Sequence, residues 1–123
     1  MANVINWFEI PVSDFDRACE FYGKVLGGEI QTMESPRGVK LGFLPGTAPD
    51  GVGGALVKGE GYEPISKGSL VYLNGGNDLS EPLAKVEKAG GKVIMAKTSI
   101  GENGFIARFA DTEGNVVALH SMN

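Results

Sequence analysis

Near the start of the chain, the stretch NWFEIPVSD sets Trp7 and Glu9 two residues apart. On a strand that spacing puts both side chains on one face. An indole offers a flat apolar wall with one N–H donor, and a carboxylate can accept hydrogen bonds, hold a cation or move a proton. Such a face can be core, a metal site or the floor of a pocket. His120 is the only histidine and Cys19 the only cysteine. One imidazole cannot build a two-histidine metal site, and one thiol makes neither an internal disulfide nor a thiolate zinc cluster. Cys19 falls on the apolar side of a predicted helix with nothing local to lower its pKa, so it reads as core rather than as a nucleophile. Arg108 alternates with Ile106, while Phe105, Ala107 and Phe109 take the other strand face. A lone guanidinium there can receive a carboxylate or phosphate, or it can simply face solvent. Gly51, Gly53 and Gly54 precede no Gly-Lys-Ser/Thr, so no phosphate-cradling loop is expected.

These groups need elements to position them. A chain of 123 residues, 42% hydrophobic, predicts one domain with an ordinary core. Nineteen glycines exclude a helical bundle and predict many tight turns. The net charge of −4 and scattered lysines and arginines argue against a nucleic-acid partner. No apolar run approaches membrane-spanning length and no basic-then-apolar leader is present, so the expectation is a cytoplasmic protein without a membrane partner.

The chain repeats itself. DFDRACEFYGKVLGGEI at 14–30 is echoed by DLSEPLAKVEKAGGKVI at 78–94, an offset of 64 residues. In the first copy Ser13 is the expected N-cap, with Asp16 as its partner, and Phe15, Ala18, Cys19, Tyr22, Val25 and Leu26 make one apolar helical face up to a stop at Gly27-Gly28. In the second, Asp78 or Ser80 caps, Pro82 fits only the first turn, and Leu79, Leu83, Val86 and Ala89 form the face before Gly90-Gly91. A strand precedes each helix, at Val4–Val12 and from Leu70 to about Leu73. Three follow each, at roughly 29–34, 38–44 and 52–58, then 92–97, 104–110 and 115–121. The reading is α+β: a βαβββ unit over 1–58, a connector over 59–68 and a second unit over 69–123, in one domain because each half-apolar sheet needs its twin.

Val12-Ser13-Asp14-Phe15, then Phe21-Tyr22-x-x-Val25-Leu26-Gly27, and the close Asp111-Thr112-Glu113-Gly114-Asn115 together resemble the vicinal oxygen chelate superfamily of glyoxalase I, bleomycin-resistance proteins and extradiol dioxygenases. Thr112 stands in the usual proline slot. The chain most resembles the short, glyoxalase-like bacterial members. The resemblance implies tandem units forming a cup of curved mixed sheet with helices outside, and a homodimer. In the metalloenzymes of the family the cup holds a divalent ion on His, Glu or Gln from the first and last strand of each unit.

Carried over, the first-strand slots fall seven residues before Asp14 and Asp78, on Trp7 and Val71. The last-strand slots fall on Ala118 and on Gly54 or Ala55. None of these side chains binds a metal, so no cofactor is expected. The resemblance then makes Trp7, Val71 and Ala118, with Arg108, candidate walls of a ligand pocket, and Tyr72 a residue packed under a helix. Glu9 and His120 would share the cup. Burial would raise the Glu9 pKa, and the pair would be candidate acid and base. The expected function is binding of a small organic ligand without a metal. The alternatives are a glyoxalase-like lyase or isomerase using Glu9 and His120 or an atypical metal centre, and a non-catalytic structural or interaction protein.

Overall fold

A computed structural model describes residues 5–46 and 51–123. Val4 of the predicted first strand, and 47–50 of the predicted Gly46–Gly51 turn, lie outside them. The first unit runs β1 (Trp7–Pro11), α1 (Phe15–Leu26), β2 (Gln31–Glu34), β3 (Lys40–Phe43) and β4 (Gly53–Lys58). The second runs β5 (Tyr72–Asn74), α2 (Ser80–Val86), β6 (Lys92–Ser99), a 3-10 turn at Gly101–Asn103, β7 (Phe105–Ala110) and β8 (Val116–Ser121). The sheets have the orders β1-β4-β3-β2 and β5-β8-β7-β6, with the first strand parallel to the last and the other pairs antiparallel. The fold is α+β with the paired βαβββ units expected, built as two four-stranded mixed sheets that do not close on each other.

Each helix covers one face of its sheet. On α1 the helical spacing of Phe15, Ala18, Phe21, Tyr22 and Val25 buries all five. The cap is Asp14, not Ser13: its carboxylate accepts the Arg17 N–H at 3.1 Å. At the other end Gly27 takes φ 70, a left-handed conformation that glycine enters without a Cβ penalty. The core under the helices draws on both units, joining Ile10, Val12, Phe21, Tyr22 and Leu56 to Leu79, Val86, Phe109, Val117 and Leu119. Cys19 packs partly buried at its edge, and that burial raises its thiol pKa.

The units are pinned by the turn 111–115. Asp111 Oδ1 accepts the N–H groups of Glu113 (2.8 Å) and Asn115 (2.9 Å), and Oδ2 accepts the Tyr22 hydroxyl of α1 (2.8 Å) and the Asn115 amide (3.0 Å). Burial raises the Tyr22 pKa well above the usual phenol value, and Asp111 raises it further. The Asn115 amide also reaches the Pro11 carbonyl at 2.7 Å, and its oxygen takes the Ile65 N–H of the connector at 3.1 Å. Glu113 Oε1 accepts from Ser13 N, Ser13 Oγ and Asp14 N, while Oε2 accepts from Arg17 Nε at 2.8 Å and Thr112 Oγ1 at 2.9 Å. Burial pushes the Glu113 pKa up, but these donors, led by Arg17, outweigh it and hold the carboxyl at about 2.

Candidate functional site

The faces turned away from the helices carry the groups of interest. In the first sheet, register places Trp7 opposite Gly53 and Glu9 opposite Ala55, with Phe43 on the same row as Ala55. The Trp7 and Phe43 rings meet edge to face, centroids 6.0 Å apart, across a strand whose Gly53 has no side chain to separate them. Trp7 keeps 45% of its surface exposed. It is a surface aromatic on an open sheet, not a core residue.

In the second sheet the register overturns one expectation. Tyr72, not Val71, stands opposite Ala118, and Tyr72 is 48% exposed while Leu73 is buried. The cause is the loop between strand and helix. Val12 N–H bonds Val57 O, and Gly75 N–H bonds His120 O, so the strands repeat at an offset of 63 residues. Asp14 and Asp78 repeat at 64. The second unit therefore has one extra residue between β5 and Asp78, in a loop of five residues before α2 where the first unit has three before α1, with Gly76 at φ 78. A one-residue shift turns every strand side chain to the opposite face. Tyr72 is thus the counterpart of Glu9, and Ala118 the counterpart of Ala55.

The candidate residues do not share one hollow. A cavity of about 700 Å³ lies at one end of the open second sheet, lined by Tyr72, Asn74, Ile100, Ile106, His120 and Met122 among others. A second, of about 320 Å³, is lined by Glu9, Pro11, Val71 and Val116 with Glu63, Ile65 and Lys67 of the connector. Glu9 and His120 are therefore apart, and Glu9 is exposed rather than buried among apolar groups as expected. Trp7 lines neither cavity. Ala118 is fully buried in its row between Tyr72 and Arg108. Arg108 is exposed on the open face, makes no ion pair among the described residues, and lines neither hollow.

His120 is tethered. Its Nε2 lies 2.7 Å from the Asn103 carbonyl oxygen, which can only accept. Nε2 therefore carries the proton, and in the neutral ring Nδ1 is left as an acceptor. Asn74 is tethered too: its Oδ1 accepts the Gly76 N–H at 2.8 Å, which leaves the amide NH₂ as donor. The larger hollow thus combines isoleucine and methionine surface with a phenol, an amide donor and an imidazole acceptor. Tyr72 and Asn74 were missed in the sequence. The signal for them was the longer Gly75–Asp78 loop, which shifts the strand relative to the helix motif. As for a divalent ion, no three His, Cys, Asp or Glu side chains converge among the described residues. Glu9 and His120 line different hollows.

Comparison with known proteins agrees with the architecture. The family model described as Glyoxalase/Bleomycin resistance protein/Dioxygenase superfamily matches residues 4–119. A "Glyoxylase-like domain-containing protein" of Didymella fabae is 32% identical over 121 residues, covering 94% of this chain and 91% of the relative. Crystalline E144Q-glyoxalase I of Zea mays superposes with a TM-score of 0.73 at 26% identity, over 94% of this chain but only 45% of the maize chain. This chain therefore spans less than half of the maize enzyme's length. TnmS3, an antibiotic binding protein from Streptomyces sp. CB03234, matches with a TM-score of 0.66 at 22% identity, over 98% of this chain and 97% of its own. At that identity the likeness is one of fold. No helix among the described residues is long and apolar enough to cross a membrane.

Proposed function

Since the chain belongs to the Glyoxalase/Bleomycin resistance protein/Dioxygenase superfamily, we propose that it binds a small organic molecule, without a metal, in the hollow of the second sheet. The observation that carries this reading is the cavity of about 700 Å³ on the helix-free face, where apolar surface surrounds the oriented groups of Asn74 and His120. Ligand pockets combine apolar walls with a few fixed polar groups in this way. The antibiotic-binding neighbour lends the fold a precedent for antibiotic binding. The reading includes a cytoplasmic homodimer, on the likeness to the superfamily.

Titrating isotope-labelled protein with a library of small ring compounds tests the reading. Amide shifts should concentrate at Tyr72, Asn74, Ile106 and His120, and elemental analysis of protein purified without chelator should find no stoichiometric metal. Shifts scattered elsewhere, or one equivalent of Zn, Ni, Mn or Fe, would defeat it. A second reading, a glyoxalase-like lyase or isomerase, draws on the likeness to the maize enzyme. With Glu9 in another hollow, it would rest on His120. Turnover of a hemithioacetal that His120→Ala abolishes and Glu9→Gln leaves intact would establish it.

A further inference from the structure

Resting on the proposed site in the second sheet, we infer that its ligand is an uncharged ring compound carrying a hydroxyl that donates to His120 Nδ1. Two observations carry this. First, no Asp, Glu, Lys or Arg lines the hollow. A cationic ligand entering it would find no carboxylate, and an anionic one no lysine or guanidinium and, with the His120 ring neutral, no counter-charge to replace lost hydration. The guanidinium on the same open face, Arg108, belongs to the next register row, with Ala118, and lies outside the lining. The smaller hollow differs: Glu9, Glu63 and Lys67 all border it.

Second, the polar groups have fixed roles. The Asn103 carbonyl holds the proton on His120 Nε2, so in the neutral ring Nδ1 is the lone pair that His120, which lines the hollow, has to offer. The Gly76 N–H occupies Asn74 Oδ1, so the amide offers N–H. The site therefore asks for a donor at one point and an acceptor at another, and a hydroxyl or keto-hydroxyl ring supplies both. The Tyr72 ring and the Ile100, Ile106 and Met122 side chains supply apolar surface for the rest.

The test compares three probes of one shape: 2-naphthol, its methyl ether 2-methoxynaphthalene, and 2-naphthoate. Each is titrated into the full chain, with binding read from amide shifts at Tyr72 and His120. The phenol should bind about tenfold more tightly than the ether, which lacks the donor, and at least tenfold more tightly than the carboxylate. In His120→Phe the phenol and the ether should converge. Equal or tighter binding of the carboxylate would overturn the uncharged class while leaving the site in place. Equal binding of phenol and ether in the unaltered protein, or a preference that survives His120→Phe, would overturn the role given to Nδ1. If none of the probes shifts these residues, the site itself fails and the inference with it. The comparison in unaltered protein decides the matter even if His120→Phe does not fold.

Discussion

The turn 111–115 and the open face of the second sheet are joined by one strand, β8, and they follow opposite rules. In the turn, Asp111, Glu113 and Asn115 are all buried, and among the described residues no buried side-chain polar atom lacks a partner. On the open face, Tyr72 and Asn74 stand in solvent, and Asn74 and His120 each have one side-chain group hydrogen-bonded to a single backbone partner. The residues that identify the fold are therefore structural. They fasten α1 to the second unit, and Tyr72, Asn74 and His120, which line the larger hollow, lie outside that turn.

The contrast can be pressed from its strong side first. Asp111→Ala would strand the Tyr22 hydroxyl, the Asn115 amide and two backbone N–H groups, so it should cost about 3–5 kcal/mol in urea unfolding. Acid should act next. Glu113 has its folded pKa lowered from 4.5 to about 2, so its contribution is complete above pH 4.5 and disappears as the pH falls through that window to about 2. Asp78, held at about 2 chiefly by the Ser80 backbone N–H and then by Lys97, adds to the same slope. Glu113→Gln should cost about 1–2 kcal/mol at neutral pH and flatten stability against pH below 4.5. The smallest effect belongs to the open faces: Trp7→Ala and Tyr72→Ala should each change stability by less than about 1 kcal/mol, because both rings are already half in water. A penalty as large as that of Glu113→Gln would mean that these faces are covered in solution, and weak quenching of Trp7 fluorescence by acrylamide would confirm it.

How far the sequence could be read follows the same divide. Strand alternation and helical spacing located every strand to within a few residues, because burial of one face sets the period. The closing motif was recognisable, yet its job was not, since hydrogen bonds between residues about 100 positions apart leave no local pattern. The cap on α1 moved from Ser13 to Asp14 because the Ser13 N–H and hydroxyl are both directed to Glu113. Site residues fared least well. Counting back from Asp78 assumed equal loops in both units and selected Val71, whereas the added residue put Tyr72 in place. Grouping Glu9 with His120 assumed a single cup, and the two residues line separate hollows.

The longer loop between β5 and α2 is absorbed without disturbing the sheet: β5 keeps the offset of 63 residues that also relates β8 to β4, and Tyr72 faces outward while Leu73 stays in the core. This junction is therefore a place where chain length differs between the two halves of the molecule while the pairing partners, and with them the surface on offer, stay put.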